Sequence, residues 1–319
     1  MSDERTCPSC ASGGTAVGAH ESGSSRWTCF ACGTCELQYW SPREIIPEFY
    51  ADPAQVNYAR RRQGEIFLRE RHKMFLRRAS PGRLFDVGCG EGGFLAAARD
   101  QGFEVAGIDL DPGSAEIARG RGLEVNVGFL FDDAGALHDG IDAARPYDWV
   151  TAFEVLEHQA DPLHFLRLVK GLLAEGGTLC GSVPNRDRFL VAADRARNSG
   201  DRPPHHFLYF SATSLETLLR AAGFKHVEVL PLPETDLTDF ATYIEVATTG
   251  GLSRRMRESA ANAAHGGARQ NHGASRSWRR HLKQAARVVK NLPFYPAALA
   301  VRTLAPRKAR GLYFEASFR

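Results

Sequence analysis

The stretch RLFDVGCGEGGFL, Arg83–Leu95, decides the fold, because four glycines within six residues directly follow a short apolar run. The apolar run predicts a buried strand, and the glycines predict a turn in which a ligand can lie against the backbone. In an open parallel sheet, ligands bind beyond the carboxyl ends of the strands, where the strand order reverses. Residues 88–93, the glycine turn, are therefore the predicted binding site at the end of the first sheet strand.

The chain after this turn continues as short apolar runs that alternate with helical patterns, for example VAGID before SAEIARGRG. Such alternation predicts an α/β fold with right-handed crossovers and a doubly wound, mostly parallel sheet. The closing GLYFEASF predicts a final strand. The predicted regions are a small cysteine-rich domain at 1–42, linking helices at 43–80, the sheet core at 81–249, a basic, partly disordered helical insertion at 250–310, and the final strand at 311–319.

The spacing of the glycines alone does not identify the ligand. Gly88, Gly90 and Gly93 satisfy G-x-G-x-x-G, and Asp109 follows about 20 residues later, as in a dinucleotide site. Asp86 separates the alternatives, because a carboxylate beside the turn repels a pyrophosphate and attracts an ammonium or sulfonium group. The sequence therefore favours a cationic ligand over a dinucleotide.

The motif FDVGCGEGG resembles the first motif of the class I S-adenosylmethionine-dependent methyltransferases, hydrophobic-x-D-x-G-x-G-x-G. VAGIDLDPGSAEIAR is similar to the second strand of that family and the helix after it. EVLEH especially resembles the branch that acts on small molecules and glycans. The resemblance implies the Rossmann-like methyltransferase fold, with S-adenosylmethionine as the cofactor.

The resemblance also implies roles for individual residues. Asp109 would hold both ribose hydroxyls, because two acceptor oxygens suit two neighbouring donors. Asp132 or Asp133 would contact the adenine amine, and Glu154 would lie near the cofactor. The alternatives are a turn or capping role for Asp86, no adenine contact by either Asp132 or Asp133, a solvated side chain for Glu154, and a packing role for Cys89. The predicted cofactor-binding residues are Asp86, Gly88, Cys89, Gly90, Gly92, Asp109, Leu110, Asp132, Asp133 and Glu154.

A sulfonium already activates its methyl group, so the enzyme mainly has to align the acceptor and exclude water. A hydroxyl or amine acceptor also benefits from a base, for which histidine is the natural choice. His158 follows the predicted fourth strand, and His206 lies in HHFLYFSATSL, similar to an element after the fifth strand of many relatives. These two are the predicted catalytic residues, with His205 ranked below them. The alternative is that each histidine only orders a loop.

Five of the seven cysteines fall in CPSC at 7–10 and CFACGTC at 29–35, which predicts a structural zinc ribbon. The pair Cys29 and Cys32 gives a zinc-ribbon spacing. The pair Cys32 and Cys35 instead aligns CELQYWSP with a motif of related glycan-cluster methyltransferases. Free or redox-active thiols are the alternative. The candidate ligands are Cys7, Cys10, Cys29, Cys32 and Cys35.

Charge and hydropathy limit the location and the partners. The formal net charge is +3, but residues 259–314 contain no Asp or Glu. No stretch has the length of a membrane span and the N-terminus lacks the apolar core of a signal peptide, so we expect a cytoplasmic protein. The basic segment predicts peripheral contact with the inner membrane face, although a solvated helix face is the commoner outcome of such a pattern.

We therefore expect an S-adenosylmethionine-dependent methyltransferase that methylates oxygen on a small molecule or glycan intermediate by in-line displacement. One alternative is an RNA methyltransferase that binds RNA through the zinc ribbon and the basic tail. It is disfavoured because aromatic and basic residues do not interleave as they do in single-strand binders. The other alternative is a non-catalytic zinc-ribbon module on a degenerate methyltransferase fold, which the intact glycine turn and Asp109 argue against.

Overall fold

The computed structural model describes residues 4–44, 68–249 except 133, 143, 198 and 235, and 291–318. Residues 45–67 of the predicted linking region at 43–80, and residues 250–290 of the predicted basic insertion at 250–310, lie outside these ranges. The chain divides into two compact units. The first comprises Met1–Arg186, Arg202–Leu232 and Gly311–Arg319, and the second comprises Asp187–Asp201 and Pro233–Arg310.

The first unit contains two sheets and the helices that cover the larger one. Its strands are β1 Gly14–Ser22, β2 Ser25–Cys32, β3 Gln38–Ser41, β4 Arg83–Val87, β5 Glu104–Asp109, β6 Glu124–Val127, β7 Tyr147–Phe153, β8 Leu173–Pro184, β9 Leu208–Tyr209, β10 His226–Pro231 and β11 Gly311–Ser317. Its helices are α1 Glu70–Arg78, α2 Gly93–Arg99, α3 Pro112–Gly120, α4 Pro162–Lys170 and α6 Ala212–Ala221.

The larger sheet has seven strands in the order β10-β11-β8-β7-β4-β5-β6. β4, β5, β6, β7 and β8 pair in parallel, and β11 runs antiparallel to both of its neighbours. The predicted α/β fold with a mostly parallel sheet is therefore confirmed. Since β4 pairs with β5 on one side and β7 on the other, the strand order reverses at the end of β4, where ligands bind in such sheets.

The sheet is covered on both faces, as its apolar strands require. On one face, α1 places Phe75 among Phe94, Phe103 and Trp149, with ring centroids 5.4 to 5.7 Å apart. On the other face, Phe85 packs against Tyr147, 5.1 Å between centroids, within a core that extends to α4 and α6. This double cover fixes β4, and with it the glycine turn that follows.

The cysteine-rich N-terminus forms the smaller sheet, in the order β1-β2-β3-β9. Its last pairing joins the N-terminal segment to the rest of the unit, because β3 pairs with β9 through Tyr39 opposite Leu208. The backbone N–H of Trp40 extends this pairing by donating to the carbonyl of Phe207 at 2.9 Å. The N-terminal segment therefore holds the stretch that directly follows His206.

The second unit is helical, with α5 Val191–Arg197, α7 Leu237–Thr249 and α8 Tyr295–Leu304. Phe240 and Ile244 of α7 pack with Ala298 of α8. α7 belongs to this unit, which resumes at Pro233. In the ranges that the structure describes, no helix is both long enough and apolar enough to cross a membrane.

Candidate functional site

The glycine turn is fastened to the neighbouring strand by its backbone. The N–H groups of Gly88 and Cys89 both donate to the carbonyl of Ile108, at 2.8 and 3.2 Å. Gly88, Gly90 and Gly92 have φ values of +74°, +54° and +72°, which residues with a side chain rarely adopt. Three glycines are therefore needed to reverse the chain between β4 and α2.

The predicted binding residues of the turn differ in what surrounds them. A Cβ on Gly90 would meet nothing within 4 Å, whereas a Cβ on Gly92 would lie 2.3 Å from Cδ1 of Leu123. A Cβ on Gly88 would lie 3.0 Å from Cγ2 of Val155. Gly90 thus faces open space, and Gly92 is required for packing against the end of α3.

Cys89, also predicted to bind the cofactor, has its side chain in the core and only 8% exposed. Burial raises the pKa of its thiol well above the usual value. The thiol is therefore a packing group, and only the Cys89 backbone takes part in the turn.

Asp86, the last but one residue of β4, is 3% exposed. Thr151 Oγ1 on β7 donates to its Oδ1 at 2.6 Å. Burial raises the pKa of the Asp86 carboxyl to about 7, against the opposing hydrogen bond from Thr151, and Asp109 adds to the rise. A cation bound at the turn would favour the ionised form, so this carboxyl can respond to an ammonium or sulfonium ligand.

Asp109, the last residue of β5, is held by two backbone donors. Gly90 N–H donates to its Oδ2 and Asp111 N–H donates to its Oδ1, both at 2.8 Å. Each carboxylate oxygen can accept a further hydrogen bond, so the pair can receive two neighbouring hydroxyl donors. Leu110 follows directly and is half-buried. The geometry thus suits the ribose role predicted for Asp109.

The predicted adenine contacts are only partly described. Asp132 is exposed, and its Oδ1 accepts from the N–H groups of Ala134 and Ala136 at 2.9 and 2.8 Å. This carboxylate therefore closes a local turn. Asp133 lies outside the described residues.

Glu154 follows β7 with a φ of +59°, which is uncommon for a residue with a side chain. Its Oε1 accepts from Ser182 Oγ at 2.7 Å and lies 3.2 Å from Nη1 of Arg71, on α1. Strained backbone of this kind concentrates at functional sites. The sequence did not predict these roles for Arg71, Ser182 and Thr151. Only the tertiary structure brings together α1, β8 and β7, on which the three residues lie.

The three predicted histidines meet in one group, the histidine cluster, formed by His158, His205 and His206. Their ring centroids are 4.5 to 4.8 Å apart, and all three rings are partly exposed. His158 Nδ1 lies 2.5 Å from the carbonyl oxygen of His205. Because a carbonyl only accepts, Nδ1 carries the proton, and in the neutral ring Nε2 keeps its lone pair.

The cluster is connected to the glycine turn through Val155. Cγ2 of Val155 is the atom that a Cβ on Gly88 would meet, and the N–H of His158 donates to the Val155 carbonyl at 3.1 Å. Val155 therefore lies between the histidine cluster and the glycine turn, at the carboxyl edge of the sheet.

Four of the five candidate cysteine ligands lie together, as the cysteine group Cys7, Cys10, Cys32 and Cys35, with all sulfurs within 4.8 Å of one another. Cys7 and Cys35 sulfurs are 3.5 Å apart, and Cys10 and Cys32 sulfurs are 3.4 Å apart. Cys29 is not in the group. It lies within β2 opposite Trp40, so the alternative that pairs Cys29 with Cys32 is not the one formed.

Comparison with known proteins gives a family and several relatives. The model of a family described as a methyltransferase domain matches residues 58–229. The ubiquinone biosynthesis O-methyltransferase of Bordetella avium is 30% identical over 210 residues, which cover 62% of this chain and 81% of the relative. The protein of that name from Xanthomonas campestris pv. campestris is 39% identical over 158 residues, 47% of this chain and 66% of the relative.

A solved methyltransferase from Thiobacillus denitrificans, in complex with S-adenosyl-L-homocysteine, covers 86% of this chain and 98% of its own, with 17% identity and a TM-score of 0.42. The family model spans more than half of the chain, and most of the length of the Bordetella relative is matched. The chain is a member of the S-adenosylmethionine-dependent class I methyltransferases.

Proposed function

We propose that this protein transfers the methyl group of S-adenosylmethionine to a hydroxyl oxygen of a small molecule. The observation that carries the proposal is the histidine cluster, which provides a fixed acceptor nitrogen at the carboxyl edge of the sheet. The relatives from Bordetella and Xanthomonas are named as O-methyltransferases, which supports oxygen as the acceptor atom.

The cofactor lies along the ends of β4 and β5. Asp109 receives the two ribose hydroxyls, since its oxygens are already aimed by two backbone donors. The methionyl end lies over Gly90, the turn position with open space, and Asp86 faces its cationic groups directly or through water. Leu110, half-buried directly after Asp109, is a further cofactor-binding residue in this proposal.

The acceptor hydroxyl lies between the methyl group and the histidine cluster. His158 Nε2 takes the hydroxyl proton while the oxygen attacks the methyl carbon and the carbon–sulfur bond breaks toward sulfur. The hydrogen bond from Nδ1 to the carbonyl of His205 keeps this nitrogen turned to the acceptor. His206 lines the same space and is the second candidate for the proton acceptor.

The cysteine group holds a structural zinc ion in this proposal. A tetrahedral zinc ion with Zn–S bonds of about 2.3 Å sets neighbouring sulfurs about 3.8 Å apart, close to the spacing of the four sulfurs. Four protein ligands leave no open position, so the ion stabilises the fold of the N-terminal segment and takes no part in methyl transfer.

The test uses the full-length protein with methyl-labelled S-adenosylmethionine and a fraction of small metabolites, beside phenol and catechol as defined acceptors. We expect label in a methyl ether, identified by mass spectrometry and carbon NMR. His158→Gln should lower the rate at least tenfold with the cofactor affinity unchanged, whereas the exposed His164→Gln should match the parent protein. Label found on nitrogen, on carbon or only on added RNA would refute the proposal.

A further inference from the structure

The histidine cluster has a second chemical capacity, because it brings one ring nitrogen from each of three histidines within 4.8 Å of the others. We propose that His158, His205 and His206 form a binding site for one divalent transition-metal ion such as Zn²⁺, separate from the cysteine group. Zn–N bonds of about 2.0 to 2.1 Å in a tetrahedral site place ligand nitrogens about 3.4 Å apart. Small rotations of the rings would bring the nitrogens from within 4.8 Å of one another to about 3.4 Å.

The cluster is held in the way that ligating histidines usually are. A metal-binding histidine commonly donates its other ring N–H to a carbonyl, which fixes the ring and its protonation. His158 does this through Nδ1 and the His205 carbonyl, at 2.5 Å. The backbone on both sides is fixed as well, since Phe207 N–H donates to the Glu157 carbonyl at 2.9 Å.

The charge environment also suits a cation. The Glu157 side chain is fully buried, and its Oε1 lies 4.0 Å from His158 Nε2. A carboxylate this close to a ligating nitrogen compensates the charge of a bound ion. The three histidines are partly exposed, so the cluster is not sealed from solvent.

The ligand type selects the ion. Imidazole nitrogens suit zinc, copper and nickel, whereas magnesium and calcium require oxygen ligands. Three protein nitrogens leave a fourth position open to water or another small ligand. The site therefore discriminates between Zn²⁺ and Mg²⁺, which gives its test a chemical control.

The ion would occupy Nε2 of His158, the lone pair to which the proposed function assigns the acceptor proton. Bound metal and methyl transfer are then mutually exclusive, and Zn²⁺ inhibits the enzyme. Only this effect on activity rests on the proposed function, since metal binding itself does not depend on any reaction.

The binding experiment uses the full chain with its cysteine group already loaded with zinc, titrated with Zn²⁺ in a calorimeter. We expect one further ion to bind per chain, and Mg²⁺ not to bind. His158→Gln, His205→Gln and His206→Gln should each weaken this binding at least tenfold. His164→Gln, the control outside the cluster, should bind as the parent protein does. Circular dichroism of each variant establishes that it is folded.

Absence of a further ion, or equal binding by the parent and the folded cluster variants, would overturn the metal site. In the activity arm, saturating Zn²⁺ should reduce the initial rate at least tenfold, and dilution should restore it. An unchanged or faster rate with the ion bound would overturn the mutual exclusion. If no acceptor is methylated at all, the proposed function fails, and the calorimetric titration still decides the metal site.

Discussion

Gly90 and Gly92 stand two residues apart in the glycine turn, and replacing each with alanine should damage different properties. Both have positive φ, so a side chain costs about 1–2 kcal/mol of stability at either position. At Gly92 the new methyl would also lie 2.3 Å from Leu123 Cδ1 and 3.0 Å from Ala118 Cβ. Overpacking of this kind adds about 1–3 kcal/mol. Gly92→Ala should therefore lower the free energy of unfolding by about 2–5 kcal/mol, and Gly90→Ala by about 1–2 kcal/mol.

The order reverses for cofactor binding. A methyl on Gly90 would meet no protein atom within 4 Å and would project into the space proposed for the methionyl end. Displacing the cofactor from that surface costs about 1–3 kcal/mol, which is roughly 5- to 150-fold in affinity. Gly92→Ala, if folded at the assay temperature, should bind the cofactor within about threefold of the parent protein, because its methyl points away from this space.

Urea unfolding followed by circular dichroism measures the stability difference, and calorimetry with S-adenosylhomocysteine measures the affinity. Both variants are needed, because each serves as the control for the other. The assignment of the turn would be refuted if Gly90→Ala bound the cofactor as tightly as the parent protein. It would also be refuted if Gly90→Ala lost more stability than Gly92→Ala.

Three further perturbations test other parts of the site. Burial raises the pKa of the Asp86 carboxyl from 3.8 to about 7, so between these pH values the folded protein holds a proton that the unfolded chain releases. The free energy of unfolding should therefore fall as the pH rises from about 4 to about 7, by at most about 4 kcal/mol. Above about pH 7 it should level off. Urea unfolding across this range should show the slope in the parent protein and a flatter profile in Asp86→Asn. Asp109→Asn replaces one charged acceptor oxygen, so calorimetry should show S-adenosylhomocysteine binding weakened by about 1.5–3 kcal/mol. The control Asp100→Asn, at an exposed position, should bind S-adenosylhomocysteine as the parent protein does. Removing zinc with a chelator, or Cys10→Ser, should lower the melting temperature and change the near-ultraviolet circular dichroism, to which Trp27 and Trp40 of the smaller sheet contribute. An unchanged spectrum would contradict a structural ion.

The sequence predicted the fold well because its decisive signal is local. An apolar run before a glycine-rich turn has few structural solutions, and Phe85 and Asp86 lie where the pattern places them. The sheet order could not be predicted in the same way, because the pairing of β7 with β4 depends on contacts between distant segments. The glycines likewise look equivalent in sequence, and only the position of Leu123 distinguishes Gly92 from Gly90.

The choice among the cysteines shows where spacing ceases to be informative. The pair Cys29 and Cys32 satisfies the ribbon spacing and the pair Cys32 and Cys35 matches a family motif, but side chains in a strand alternate between its faces. Cys29 and Cys32 are three residues apart in β2, so a regular strand directs them to opposite faces. Cys35 lies in the turn after β2 and can fold back toward Cys7, which it reaches at 3.5 Å. Strand geometry therefore decides between pairings that spacing leaves open.

The histidine cluster could be predicted residue by residue but not as a group. His158 and His205 are separated by 47 residues, and no periodicity connects them. They meet because the strands β7 and β8 run in parallel and deliver their following segments to the same edge of the sheet. Helix α1 brings Arg71 to that edge by packing alone, and its charged sequence gave no indication of a contact with Glu154.

A continuous path of backbone hydrogen bonds connects the cysteine-rich segment to the histidine cluster. Trp40 N–H donates to the carbonyl of Phe207, and Phe207 N–H donates to the carbonyl of Glu157, each at 2.9 Å. Phe207 directly follows His206, and Glu157 directly precedes His158. β9 has only two residues, too few to keep its place without packing, so its position depends on the strand β3 beside it. The N-terminal segment is therefore part of what holds the histidines together, although it contributes no side chain to their cluster.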